Sequence, residues 1–597
     1  MILDGERRRA RIFFALILIN AAVPVAQLWL TREVVNALVA GDSRRALLAG
    51  VVSALLVAVM AIAQPFQDVL GTRIQDRGVA NVEMELIRAG SRVCDLVPFT
   101  RPAYRDRMSA VEQSAMGFSM AITQASRWYA GSLSLFGILI SLGALHPVIP
   151  VALFACGLIE HLTWKRQFDL EYKGLFEVAR TGSKMMYARD IVAVPWHAAE
   201  VRMFGIGPWL RERYRRLAGE TLVELDARRR EGAIWATAGT SFQMIALTGS
   251  FLYIARRAES GSLAIGDLAL FIFALIQAQS LTRNAYATML TVHELGVRSR
   301  DFFDFVDGAQ AEIAIPAPGE GTVPAAEPAS GVALRNVSFS YPNSDRPILR
   351  DLSLDLPAGT VTALVGENGA GKSTLVNLLS RMFDPDAGTI TLDGVSFADH
   401  DLAALRNRIT VVYQDAARFA FTLEDNIAIG DPAFTWGDPN AGRERARQVG
   451  DRVGIGAIAG TLANGYGTGL TRTFDDSVDL SGGQWQLVAF GRGLIREDAA
   501  LAMLDEPSAA LDPLREAEQI EHIRAFAQSR RRSVLLISHR LSTVRWADQI
   551  AVMADGRIAE IGSHDALVAS GCAYADLFAM QASRYRATPD ESLDLKS

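Results

Sequence analysis

Six apolar runs in the first half of this chain limit what it can fold into more than any other feature. They span about Ile12–Val34, Ala46–Leu70, Phe118–Leu142, Val148–Trp164, Ala233–Ile254 and Ala264–Leu281. Each approaches the roughly 20 residues that cross a bilayer as a helix. A segment in hydrocarbon must satisfy its own backbone hydrogen bonds, so all six are expected to be helical. The fourth is the weakest, because Glu160 and His161 interrupt its end. Arg7-Arg8-Arg9 precedes the first run as in a signal peptide, but the run is too long for one and further spans follow. It is expected to remain as an uncleaved first span.

Arginine placement orients these spans. The long segments Gly71–Gly117 and Lys165–Gly232 carry Arg73, Arg77, Arg101, Arg105, Arg211, Arg213, Arg215 and Arg216, whereas the short loops hold only Arg44, Arg45, Arg256 and Arg257. The positive-inside bias places the N-terminus and both long segments in the cytoplasm. Six crossings return the rest of the chain to the same side, consistent with a multi-pass protein of a bacterial plasma membrane. The 597 residues suggest two to four units. A net charge of −6 gives no case for nucleic-acid binding. Cys94, Cys156 and Cys572 lack paired metal-ligand spacing.

The composition changes after the spans. Residues 309–330 are rich in Ala, Pro and Gly, with Pro316, Pro318, Pro324 and Pro328, and read as a linker. Short β-rich runs then alternate with helical stretches, as in an α/β domain with a largely parallel sheet. The expected division is a membrane domain over 1–308, the linker over 309–330, a soluble domain over 331–583 and a polar tail over 584–597.

Chemistry concentrates in that second half. Thr362-Ala363-Leu364-Val365 runs straight into Gly366-Glu367-Asn368-Gly369-Ala370-Gly371-Lys372-Ser373-Thr374, and a helical run follows. In this strand–loop–helix context the glycines let backbone N–H groups turn inward around phosphate oxygens. Lys372 is expected on the β- and γ-phosphates of ATP and Ser373 on Mg²⁺. Further on, Leu501-Ala502-Met503-Leu504 ends in Asp505-Glu506. In a phosphate-loop ATPase the first acid binds Mg²⁺ and the second polarises the attacking water.

Leu480-Ser481-Gly482-Gly483-Gln484 lies between the loop and those acids. With it the segment Val332–Met580 resembles the nucleotide-binding domain of ABC transporters, and the whole chain resembles a half-transporter of the exporter type. The implied fold is a membrane α-helical domain of six transmembrane helices plus an α/β phosphate-loop ATPase domain. The resemblance implies that Tyr341 stacks on adenine and that Gln414 links the Mg²⁺ site to the membrane domain. It makes Glu506 the general base, His539 a contact to the γ-phosphate, and Ala509-Ala510-Leu511-Asp512 the loop crossing to an opposite site. It also implies that Leu480 to Gln484 cap an ATP held by a second half-transporter, in a homodimer or a heterodimer. Trp485, Leu487 and Ala509 depart from the commonest family pattern without removing a group that touches phosphate, metal or water.

The expected function is ATP-driven export of a peptide, antibiotic-like or other amphipathic molecule. A lipid floppase and an ATP-gated channel or signalling protein are the alternatives. Two regions, Pro98–Ser109 and Pro195–Pro208 with Trp209–Tyr214, are expected to couple the two halves. The polar residues near the spans (Gln64, Asp68, Glu160, His161, Gln243, Gln277 and Gln279) do not identify the cargo.

Overall fold

The computed structural model describes residues 7–194, 197–308, 330–342, 344, 346–432, 434, 437–507 and 513–586. The expected linker prolines, the crossing loop Ala509–Asp512, Pro195 and the tail beyond 586 lie outside these residues. Two compact units form: one from residues 1–89 and 106–308, the other from residues 90–105 and 309–597.

The first unit is helical, with α1 (Arg7–Val39), α2 (Ser43–Arg92), α3 (Pro102–Leu145), α4 (Val148–Ala193), α5 (Ala198–Met203), α6 (Gly207–Glu259) and α7 (Ile265–Gly308). The long Arg-rich segments are mostly helix, continuing the membrane helices beyond bilayer length. Leu28, Ile138, Leu142, Leu153, Leu247 and Phe271 belong to one buried cluster. Leu55, Ile62 and Phe66 on α2, by contrast, are exposed. Apolar exposure on that scale marks a surface covered by something other than water.

Among the described residues, five helices are long and apolar enough to cross a membrane. The expected fifth span, Ala233–Ile254, is helical within α6 but is not among those five. Thr237, Thr240, Ser241, Gln243, Thr248 and Ser250 dilute its hydropathy.

The second unit is built on a six-stranded sheet ordered β12-β11-β3-β10-β9-β6. Its strands are β3 (Val361–Gly366), β6 (Ile409–Val412), β9 (Leu501–Asp505), β10 (Ser533–Ile537), β11 (Gln549–Ala554) and β12 (Arg557–Gly562). All neighbours are parallel except the β11–β12 pair. β3, β9 and β10 are buried along their whole length. Their alternate residues face opposite sides: Ala363, Leu504 and Leu536 enter one core, and Leu364, Met503 and Leu535 enter the other. That is why these strands read as continuous apolar runs. A second sheet, β2-β1-β4-β5, comprises β1 (Gly331–Phe339), β2 (Leu349–Pro357), β4 (Ala387–Leu392) and β5 (Val395–Ser396). It closes the second core with Leu334, Leu354 and Ile390. The small β7–β8 pair (Gly469–Leu470 and Ser477–Val478) precedes the helix Gly482–Leu494.

Residues 90–105 group with this soluble unit, although in the linear division they fall inside 1–308. The Arg406 guanidinium explains the grouping. It donates to Cys94 O at 2.5 Å and to Arg381 O at 2.7 Å, while Leu96 N donates to Met382 O at 3.2 Å.

Candidate functional site

A parallel sheet collects its loops at one edge, and ligands of such sheets bind beyond the carboxyl ends of the strands. Here β3 ends in the glycine loop, β9 in Asp505, β10 just before Ser538-His539, and β6 two residues before Gln414. Residues as far apart in sequence as Gly366 and His539 therefore converge through topology alone.

The loop after β3 needs its glycines. A Cβ at Gly366 would lie 2.3 Å from Met553 O, and Gly371 takes φ +109° at the N-cap of α8 (Lys372–Leu379). Lys372 Nζ donates to Gly366 O at 2.8 Å and Glu367 O at 2.9 Å. Burial pushes the Lys372 ammonium below the usual lysine range, against the pull of Asp505 and Glu506. Ser373 stands exposed in the first turn of α8, as do Glu367, Asn368 and Gly369 before it; Ala370 and Thr374 are buried. The Tyr341 ring packs edge-on against Phe339 and Phe383, and its hydroxyl lies 3.1 Å from Thr374 Oγ1.

At the end of β9, burial pushes Asp505 up to about 6; the neighbouring Glu506 adds to this and Lys372 opposes it. Two adjacent carboxylates beside one ammonium leave a site short of positive charge. Hard oxygen donors such as Asp505 and the Ser373 hydroxyl suit a small divalent cation, so these residues fit a Mg²⁺–nucleotide.

Glu506 has left-handed backbone (φ +48°) and donates its N–H to Ile537 O at 2.9 Å. Its carboxylate lies between two side chains from other strand ends. Gln414 Nε2 donates to Oε2 at 3.1 Å, and His539 Nε2 is 3.3 Å from Oε1. The three residues expected to be catalytic thus share one constellation.

The helix Gly482–Leu494 starts with a capping box. The Ser481 hydroxyl accepts from Gln484 N, and Gln484 Oε1 accepts from Ser481 N at 2.9 Å. Leu480 is buried. Ser481 and Gln484 therefore set the helix start, leaving Gly482 and Gly483 without side chains at its positive end. Trp485 is 5% exposed, and its indole N–H donates to Asp479 Oδ1 at 3.0 Å. It pins the strand-to-helix turn from below. Leu487 is buried in the same core, which is why an arginine there would be costly. Trp485→Phe keeps the packing and removes the indole donor to Asp479 Oδ1, which retains the Leu480 N–H at 2.9 Å. It is expected to cost about 1 kcal/mol, read as a lower Tm with the ATP affinity within about threefold of wild type.

Arg492, which gave no motif signal, braces this helix to the loop after Gln414. It donates to Asn426 O at 2.8 Å, Asn426 Oδ1 at 3.1 Å and Ala417 O at 3.1 Å, and it lies over Phe419. Burial pushes its guanidinium down to about 10. Gln414, Asp505, Glu506, Gly482 and Trp485 line one cleft.

Sheet, loop, acids and capped helix define a phosphate-loop ATPase domain joined to a helical region of membrane type. Residues 349–509 match the family model described as ABC transporter. That segment is an ABC-transporter ATP-binding domain, and the chain as a whole, a helical region followed by one such domain, is similar in layout to ABC half-transporters. It is 41% identical over 253 residues to an ATP-dependent lipid A-core flippase of Photobacterium profundum, covering 42% of this chain and 41% of the flippase. It is 24% identical to the nisin transport ATP-binding protein NisT of Lactococcus lactis over 97% of this chain and 94% of NisT. A bacterial Atm1-family ABC exporter solved with ATP bound has the same fold, with TM-score 0.79 and 23% identity over 99% of this chain and 100% of that one.

Proposed function

We propose that this chain is an ATP-driven exporter of amphipathic molecules that works as a dimer of half-transporters in the membrane. The observation that carries this reading is Glu506 held between Gln414 and His539 at the end of β9, beside the Lys372 loop. A carboxylate so placed accepts a proton from the attacking water as the water oxygen bonds to the γ-phosphorus of ATP and the bond to the β–γ bridging oxygen breaks, releasing ADP and inorganic phosphate. His539 and Lys372 are then at hand for the negative charge on the γ-phosphoryl oxygens. Tyr341 offers an aromatic edge for adenine. Mg²⁺, held by Ser373 and Asp505 with Gln414 nearby, would neutralise the β- and γ-phosphates.

The signature supports dimer operation. Ser481 and the bare backbone of Gly482 and Gly483 form an anion-binding helix start, and the Lys372 loop offers a separate one. Pairing each with the other's counterpart closes two ATP molecules between two chains. Similarity to a protein named as a flippase keeps a lipid cargo as the second reading. ATP-dependent accumulation of cargo in proteoliposomes is the deciding measurement. Hydrolysis without accumulation, across lipids, peptides and neutral amphipaths, overturns the pump in favour of a channel or regulator.

Closure moves a solute only if it reaches the membrane helices. The turn Pro98–Thr100 lies in the segment that Arg406 fastens to the C-terminal end of α8, the helix whose first residue is Lys372. In the second long segment, α5 leads to exposed Met203 and Phe204. Arg406→Ala is expected to lower cargo moved per ATP about tenfold while hydrolysis falls much less. An unchanged ratio would refute the coupling role of this contact.

A further inference from the structure

In the helical unit, α3, α4, α6 and α7 line a half-open cleft of about 160 Å³, with Phe154 and Leu158 exposed at its mouth. That is close to the size of an engineered apolar cavity that takes up benzene. Its lining is graded. Leu139 of α3 and Leu153 and Phe154 of α4 lie near the end of the bundle where α3 turns into α4 and α6 into α7, about 8 to 9 Å along their helices. His161, Gln243 and Thr282 lie deeper, about 20 to 26 Å from the same helix ends. One end is therefore hydrocarbon and the other polar.

Gln243 supplies the decisive atom. It is 4% exposed, and its Oε1 has no hydrogen-bond partner among the described residues. An amide oxygen buried among leucines is costly unless something donates to it. Among the described residues the lining holds no lysine, arginine, aspartate or glutamate, so a phosphate or carboxylate head would meet no countercharge from them. A bare alkyl chain would fill the apolar end and leave Gln243 unsatisfied.

We propose that this cleft binds an uncharged amphipath, with a short hydrocarbon segment against Leu139, Leu153 and Phe154 and a hydroxyl or amide N–H donating to Gln243 Oε1. As a statement about cargo class it rests on the exporter reading above; as a binding site it stands on the cleft alone. It separates this chain's cargo from phosphorylated lipid heads and from peptides bound through their charges.

The test uses the full chain in lipid nanodiscs and a photoactivatable eight-carbon alcohol with a mid-chain diazirine, compared with the methyl ether of the same molecule. Peptides of α3, α4 and α6 are read by mass spectrometry. The alcohol is expected to label them at about tenfold lower concentration than the ether, because only the alcohol satisfies Gln243. Gln243→Leu is expected to bring the two probes together. It should not lower the unfolding temperature, since it replaces a lone buried acceptor by hydrocarbon. Equal labelling by alcohol and ether in wild type overturns the proposal, as does alcohol labelling that Gln243→Leu leaves unchanged. ATPase activity in the same discs keeps the two readings apart. Absent cleft labelling with hydrolysis intact sinks only the cleft, whereas absent hydrolysis sinks the exporter whatever the labelling shows.

Discussion

Glu506→Gln is expected to bind ATP with near-normal affinity and to hydrolyse it at least about 100-fold more slowly, the low end of what a positioned general base supplies. The amide is isosteric and still offers an oxygen to Gln414 Nε2, so the constellation keeps its shape. What it loses is the ability to take a proton from water. Two chains should then hold two ATP molecules in a closed state that does not reset. Single-turnover hydrolysis and the amount of nucleotide retained per chain measure the two halves of this claim. Turnover within tenfold of wild type would remove Glu506 from the role of base.

Lys372→Ala should fail one step earlier. The ammonium is a buried cation held on Gly366 O and Glu367 O beside two carboxylates. Its removal takes away charge-assisted contacts to phosphate, worth about 1.5–3 kcal/mol, or roughly 10- to 100-fold in Kd. It also leaves Asp505, beside Glu506, without the cation that opposes its protonation. Equilibrium ATP binding to the full chain reads the effect, and an unchanged Kd would reject the assignment. Weak binding in one variant and tight binding without turnover in the other separate holding the phosphates from activating water.

Much of this site could be read from the chain because parallel strands buried on both faces announce themselves as unbroken apolar runs. β3 and β9 are such runs, and the glycine loop to Lys372 and the pair Asp505-Glu506 stand directly at their ends. The capping box is also legible, since Ser481-x-x-Gln484 is a local pattern, although the resemblance to ABC transporters directs both residues to a partner's ATP. Trp485 stood out only as a departure, because its partner Asp479 sits across a turn whose geometry no spacing rule gives. Arg406 and Cys94 are 312 positions apart, and no local pattern could join them. Among the membrane helices, Ala233–Ile254 shows the opposite problem. It is legible as an apolar run, yet its polar residues keep it out of the five described helices apolar enough to cross a membrane, and one of them, Gln243, is the residue the cleft turns on.

The backbone of Glu506 has a consequence for how such a site persists. A left-handed conformation suits glycine, or asparagine and aspartate, better than glutamate, and holding glutamate there costs on the order of 1 kcal/mol or more. The hydrolysing form of this domain is therefore not the most stable form that its fold can hold. A lineage released from the need to split ATP can gain stability by losing this side chain. Replacing Glu506 by glycine or asparagine is then expected to steady the fold while it removes turnover, so stability and hydrolysis pull in opposite directions at this one position.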